Sequence, residues 1–185
     1  MSLDGFIAGP HDEVETLHSW IWDGRSNEQI KIIDESLKNT GAVVMGRRTF
    51  DIVDNPQGWL APDGTPFKLH VFVLTHDSQN EVIKGSTPFT FVSKGVKTIL
   101  KKAQEAAGSK NVSVMGANIS QQFIKAGLLD EIQIHLVPIL LGKGVRLFDE
   151  LGKERIELQK ISTLESSGVT HLKYRVIKSH LKSAA

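Results

Sequence analysis

The chain has 185 residues, 40% apolar and 23% charged, and its 22 Lys and Arg stand against 21 Asp and Glu for a formal charge of +1. That length implies one domain, residues 1–185, with a sizeable core, and the near-neutral balance lacks the basic excess of a general nucleic-acid binder. The absence of cysteine removes disulfides, thiolate metal sites and cysteine nucleophiles, while short apolar runs and the acidic opening MSLDGFIAGPHDE leave no membrane helix or secretory signal and point to the cytoplasm.

After MSLDGFIAG (1–9), the stretch HSWIWDG (18–24) reads as a connection carrying Trp20 and Trp22. SNEQIKIIDESLKN (26–39) is an amphipathic helix with Ile30, Ile33 and Leu37 on its apolar stripe, stopped near Gly41. AVVM (42–45) is a buried strand, and GRRT (46–49) opens a short helix that Pro56 must end. LHVFVL (69–74) is the next strand, then comes a helix over VKTILKKAQEAAG (96–108) stopped at Gly108. VSVM (112–115) is a third strand, followed by NISQQFIKAG (118–127), a helix with Asn118 as N-cap, capping-box spacing to Gln121, and Gly127 as C-cap. EIQIHLV (131–137) alternates with Ile132, Ile134 and Leu136 on one face, and HLKYRVI (171–177) does the same with Leu172, Tyr174 and Val176. Between them LVPILLGKGVRLF (136–148) reads as a β-connection with Lys143 facing solvent, and Ser166-Ser167-Gly168 as the turn of a terminal hairpin.

Strands alternating with helices make this an α/β chain with a mainly parallel mixed sheet, flanking helices and a C-terminal antiparallel hairpin. Ligands of such sheets sit beyond the carboxyl ends of the strands. Gly46, Arg47, Arg48 and Thr49 lie at one such end. Glycine lets an anion approach the backbone, amides and helix dipole favour negative charge, and guanidinium forks match phosphate oxygens. Gly116 and Ala117, before Asn118 and Ile119, form a second small-residue junction of the same kind. Solvated arginines and a plain packing turn are the blander readings, and taken singly neither motif decides between them. Two such junctions suit a ligand with separated phosphates. Other chemistries have no motif: the seven histidines form no HxxxH or HExxH pair for a metal, and neither GxSxG nor GxxxxGK[ST] occurs.

VVMGRRTFD (43–51) resembles the strand–glycine–arginine–threonine segment of dihydrofolate reductases. MSLDGFIAG, VMGANISQQFIKAGLLDEI and HLVPILLGKGVRLFD resemble the reductase domain of bacterial riboflavin-biosynthesis deaminase/reductases and its stand-alone relatives. The resemblance implies a three-layer dihydrofolate-reductase-like fold, NADPH as hydride donor, a small-molecule heterocyclic substrate of the pterin or riboflavin-precursor pyrimidine type, and a homodimer. By position it gives Arg47, Arg48 and Thr49 to the 2′-phosphate and pyrophosphate, beside Gly46. Thr75 and His76 would flank the adenosine end. Gly116, Ala117, Asn118 and Ile119 would line the pyrophosphate, and Ile7 and Ala8 the nicotinamide. The family carries a longer strand ahead of SLDG, inside which this chain begins.

Two departures matter. Gly116-Ala117 replaces a glycine pair, and Ile30 stands where dihydrofolate reductases carry a pterin-binding acid, so a folate substrate is not expected. Hydride transfer needs stacked rings and a proton source. Asp4 is the first catalytic candidate, against a turn-stabilising role before Gly5. Glu28 and Trp22 are the substrate-side candidates, the first against a helix-dipole role, the second against core filling. A nucleotide-binding or dimeric module that has lost its substrate site is the competing function.

Overall fold

The computed structural model describes residues 1–22, 26–60, 64–77, 81–149, 151–152 and 155–178. In chain order the elements are β1 (Phe6–Ala8), α1 (Glu15–Trp22), α2 (Asn27–Asn39), β2 (Thr40–Gly46), α3 (Arg47–Val53), β3 (His70–Leu74), β4 (Val82–Lys84), β5 (Thr87–Val92), α4 (Gly95–Ala107), β6 (Asn111–Met115), α5 (Ala117–Lys125), β7 (Glu131–Leu136), β8 (Val145–Arg146), β9 (Glu157–Ser166) and β10 (Val169–Ile177). The chain divides into two compact units, Lys31–Ile119 and the combination of Met1–Ile30 with Ser120–Ala185.

The Lys31–Ile119 unit is built on a five-stranded sheet of order β4-β5-β3-β2-β6. β5, β3, β2 and β6 run parallel and β4 closes the edge antiparallel to β5. The near-continuous apolar runs of β2 and β3 follow from this placement, because strands covered on both faces have no polar side to show. Ala42, Val43, Val44, Met45, Val71, Phe72 and Val73 are all buried. On one side Val43, Met45, Val71, Val73 and Phe89 gather around Phe50 of α3. Phe50 meets Phe89 and Phe91 edge-on at 5.2 Å between centroids. Each such contact adds about 0.5–1.5 kcal/mol beyond burial, which fixes how α3 sits on the sheet. α4 packs on β2, β3 and β6. Gly41 is required there: a side-chain carbon on it would stand 2.6 Å from Ala107 O and 2.7 Å from Ala107 Cα.

In the other unit, β7, β10 and β9 form an antiparallel sheet with β10 in the middle, and β1 pairs antiparallel with β8. Ile132 and Ile134 of β7 join Leu172 and Val176 of β10 in one apolar cluster against Ile124 of α5, as the alternation of both segments requires. The hairpin turns at Ser166–Val169, where the SSG signal lies. Residues 1–2 run beside the end of β7, with the Met1 ammonium donating to His135 O at 2.7 Å and Val137 N donating to Met1 O at 2.9 Å. α2 begins on a true capping box. Ser26 N donates to Gln29 Oε1 at 2.7 Å, and Gln29 N donates to Ser26 Oγ at 3.3 Å.

Three readings of the sequence change. HSWIW lies in a helix, α1, rather than in a connection; among the described side chains Leu17 and Trp20 are the buried ones, and so sparse a pattern over one short segment does not announce a helix. On α2 it is Ile32 that is buried while Ile30 is 38% exposed, because the stripe runs from Gln29 rather than from Ile30. Asn118 lies inside α5, which begins at Ala117, rather than at its N-cap, and the Gln121 amide nitrogen donates to Arg146 O and Leu147 O at 3.3 and 3.1 Å.

Gly41→Ala is expected to force α4 off the sheet and cost about 1–3 kcal/mol, in the range of overpacked cores. Denaturant unfolding followed by circular dichroism measures it; an unchanged midpoint would mean the helix shifts freely.

Candidate functional site

The register of the parallel strands decides where the two glycine junctions go. Met45 of β2 stands opposite Met115 of β6, and Gly46 opposite Leu74 of β3. Gly116, Gly46 and Thr75 therefore leave three neighbouring strands side by side at their carboxyl ends, with strand spacings of roughly 4.8 Å. β5 adds a fourth end, since Leu74 pairs with Val92 and Thr75 N donates to Val92 O at 3.1 Å. Ser93 and Lys94 follow there, ahead of α4. Sequence reading missed this fourth end because TPFTFV, with its proline, does not advertise a parallel strand.

The two junctions also touch. Gly116 has φ +99°, and any side chain on it would overlap Thr49 Oγ1. Glycine is thus needed twice over, for the left-handed backbone and for the space Thr49 occupies. Gly46 is different: it is extended, φ −81°, and a side-chain carbon there would meet nothing within 4 Å. Its glycine leaves open space beside the first turn of α3.

Arg47 and Arg48 begin α3. Arg47 Nε donates to Asp51 Oδ1 at 2.8 Å, and its guanidinium lies 5.6 Å from the Phe50 ring centre. Both partners of that ion pair are about half exposed, and exposed pairs are worth about 0–1 kcal/mol, so an incoming phosphate exchanges against a weak contact. α3 has only seven residues. Its dipole is correspondingly short, and the arginine side chains carry the cationic field at this end. Arg48 is exposed, as are Asn118 and His76, whereas Ala117, Ile119 and Thr75 are buried. Thr75 Oγ1 accepts from Asp77 N at 3.3 Å, closing the turn after β3. Ile119, 1% exposed, anchors α5 to the core, so its side chain packs rather than presenting a face to solvent.

The remaining expected residues belong to the other unit. Ile7 and Ala8 lie on β1, with Ala8 buried and Ile7 half-buried. Gly144, at φ +145°, passes so close to Ala8 O that no side chain fits between them. Asp4 is an acceptor from three sides: Ser2 Oγ at 2.6 Å, Gly142 N at 2.7 Å and Leu141 N at 3.2 Å. The Ser2 hydroxyl first, then those amides, hold its carboxyl down at about 2. A group so firmly ionised donates no proton, and the geometry gives Asp4 the positioning task of tying the 141–142 turn to the chain start. Arg146 reinforces the same corner, lying 4.5 Å over the Phe6 ring and donating to Asp4 O at 3.2 Å. Glu28 is exposed at the start of α2; its own amide and then the Ser26 hydroxyl lower its carboxyl. Trp22 ends α1, and its side chain lies outside the described residues. Among the described residues no group of three metal-binding side chains occurs, and no helix is long and apolar enough to cross a membrane.

Known proteins resemble this arrangement along nearly its whole length. The family model described as RibD C-terminal domain matches residues 1–172. A candidate riboflavin biosynthesis protein from Shewanella sp. PV-4 is 28% identical, superposes with a TM-score of 0.74, and covers 96% of this chain and 95% of its own. The diaminohydroxyphosphoribosylaminopyrimidine deaminase/5-amino-6-(5-phosphoribosylamino)uracil reductase of Thermotoga maritima shares the fold at 14% identity and TM-score 0.64, over 95% of this chain and 54% of its own. A dihydrofolate reductase from Enterococcus faecalis, complexed with NADP(H), shares it at 16% identity and TM-score 0.57, over 95% and 92%. The fold is dihydrofolate-reductase-like.

The Asp4 arrangement makes stability pH-dependent in a stated direction. Its carboxyl is lowered in the folded chain, so its contribution is complete above the ordinary value of 3.8 and is lost as pH falls toward about 2. Asp4→Asn is expected to flatten the fall in urea midpoint between pH 4 and pH 2; parallel curves for both proteins would remove this role.

Proposed function

The chain belongs to the RibD C-terminal domain family, and we propose that it is an NADPH-dependent reductase that passes a hydride to a small heterocycle of the riboflavin-precursor pyrimidine or pterin type. One observation carries the reading: the two anion-suited junctions follow two adjacent parallel strands, and Thr49 Oγ1 occupies the place a side chain on Gly116 would take. A single molecule with separated phosphates can span them. The family and its named neighbours support the reductase chemistry, and the NADP(H) of the Enterococcus neighbour supports the coenzyme. The expected homodimer and cytoplasmic setting remain part of this proposal, on the resemblance alone.

The residues present fit such a coenzyme. Open space beside Gly46, the exposed Arg47 guanidinium and the first-turn amides of α5 behind Gly116 form a cradle for anionic oxygens. Bound there, NADPH supplies the hydride. Arg47 and Arg48 neutralise phosphate charge and select the 2′-phosphate, as guanidinium forks match its oxygens. Thr49, fixed against the Gly116 turn, is placed to donate its hydroxyl to the same group. Buried Thr75 shapes the turn that borders the adenosine end, with His76 on its outer side. Ile7 and Ala8, in the other unit, are assigned to the nicotinamide by the resemblance alone, and within that unit Asp4 ties the chain start to the 141–142 turn. The proton for a C=N acceptor is not assigned to Asp4 or Glu28, since both are held ionised. The same observation favours a second reading, a nucleotide-binding module without chemistry.

Arg47→Glu is expected to weaken NADPH by about 10- to 150-fold, corresponding to roughly 1.5–3 kcal/mol for one charge-assisted contact, while leaving NADH nearly unchanged. Tryptophan-quenching titrations with both nucleotides measure this. Equal weakening of the two removes Arg47 from the 2′-phosphate. NADPH binding with no oxidation toward any pterin or pyrimidine acceptor selects the module reading.

A further inference from the structure

An imidazole pair, His171 buried and His135 half-buried, lies in the unit that holds β7 and β10, and the site above does not use it. His135 and His171 face each other across the β7–β10 ladder, with Nδ1 to Nδ1 at 2.6 Å. His171 Nε2 lies 2.6 Å from Ser166 Oγ, which reaches Val169 O at 3.4 Å. Trp20 of α1 caps both rings, at 4.8 Å from His135 and 5.2 Å from His171. His171 and Trp20 are 4% and 8% exposed. The proton count of this chain is definite. With both rings neutral, His135 Nδ1–H donates to His171 Nδ1, His171 Nε2–H donates to Ser166, and the Ser166 hydroxyl donates to Val169 O. The mirror arrangement, with the shared hydrogen on His171 and Ser166 donating to it, also works.

One further proton fits on the bare ring nitrogen at the cost of a buried charge. Two do not: both Nδ1 atoms then carry hydrogen and positive charge at hydrogen-bond distance, and the contact must break. Among the described residues no acid acts on His135 to offset that charge. After burial, His171 itself, the Met1 ammonium and then His18 disfavour protonation of His135. Glu15 acts on His18 from the start of α1. Glu131 and Lys173, farther along the same ladder, are paired with each other at 2.7 Å.

We propose that the His135–His171 pair is an acid-sensitive latch: neutral, it holds Trp20 and α1 against the β7–β10 sheet, and protonation of both rings releases them. The latch works whether or not the nucleotide reading stands. Its direction follows from burial, which above all lowers His135 to about 4 and lowers His171 as well. The open form therefore binds more protons below the ordinary value of 6.5, so the latch is closed above that pH and weakens as pH falls toward about 4.

Hydrogen–deuterium exchange of the full chain at pH 7 and pH 5, corrected for the intrinsic pH dependence of exchange, reads the latch directly. One imidazole moving between those two values favours opening by about 20-fold over this interval. The amides of α1 are expected to lose protection by at least that factor while those of β2 and β3 keep theirs. In His135→Gln, which can hydrogen-bond but not charge, the α1 response should shrink at least fivefold. Unchanged α1 protection in the wild type, or an equal loss in the variant, overturns the proposal. Should the variant not fold, an NMR titration of the wild-type imidazoles decides. Both rings titrating below the ordinary range together with a shift of the Trp20 indole supports the latch, and independent titration at ordinary values overturns it.

Discussion

The account depends on the parallel register of β6, β2 and β3. Hydrogen bonding sets Met45 level with both Val73 and Met115, and that alignment alone brings Gly46, Thr75 and Gly116 to one end of the sheet. Everything polar at that end is then governed by close approach. Gly116 suits glycine because its φ is +99° and Thr49 Oγ1 fills the place of a side chain, so the turn after β6 lies against the first turn of α3. A rigid frame of this kind is what a charged ligand needs, because the cost of ordering its binding groups has been met during folding.

The charges divide by task. Arg47, at the end of β2, is weakly engaged, held by one half-exposed carboxylate. The acid near the chain start is tied down instead, with Asp4 accepting from a hydroxyl and two amides. A weakly held cation exchanges partners easily, whereas a fully satisfied carboxylate shapes backbone and resists protonation. The same logic separates Thr49 and Thr75. Thr49 stands against the glycine turn and Thr75 closes its own turn onto Asp77, although in the sequence each is a threonine after a strand.

Much of the fold was legible because period and punctuation agreed. Strands β2, β3, β6, β7 and β10 and helices α2, α4 and α5 all lie within a residue or two of the segments marked by apolar runs and glycine stops. The rest was hidden for physical reasons. Among its described side chains α1 buries two, β1 and β8 are too short for periodicity to register, and β5 carries a proline. The role of Asp4 depends on amides 137 and 138 residues away, which no local pattern encodes. The histidine pair left a trace that went unused. His135 alternates with Ile134 and Leu136, and His171 precedes Leu172, so both sit opposite the apolar faces of their strands. Only the antiparallel register, pairing residue 135 with residue 171, turns that trace into a contact.

The central claim is that one doubly anionic ligand meets both junctions at once. Titrating the 15N-labelled protein with adenosine 2′,5′-bisphosphate tests it, since that fragment carries the two phosphate positions without the nicotinamide. The amides of residues 46–49 and 116–119 are expected to shift together along a single saturation curve, with residues 75–77 following. Shifts confined to one junction, or two curves with different midpoints, would contradict it.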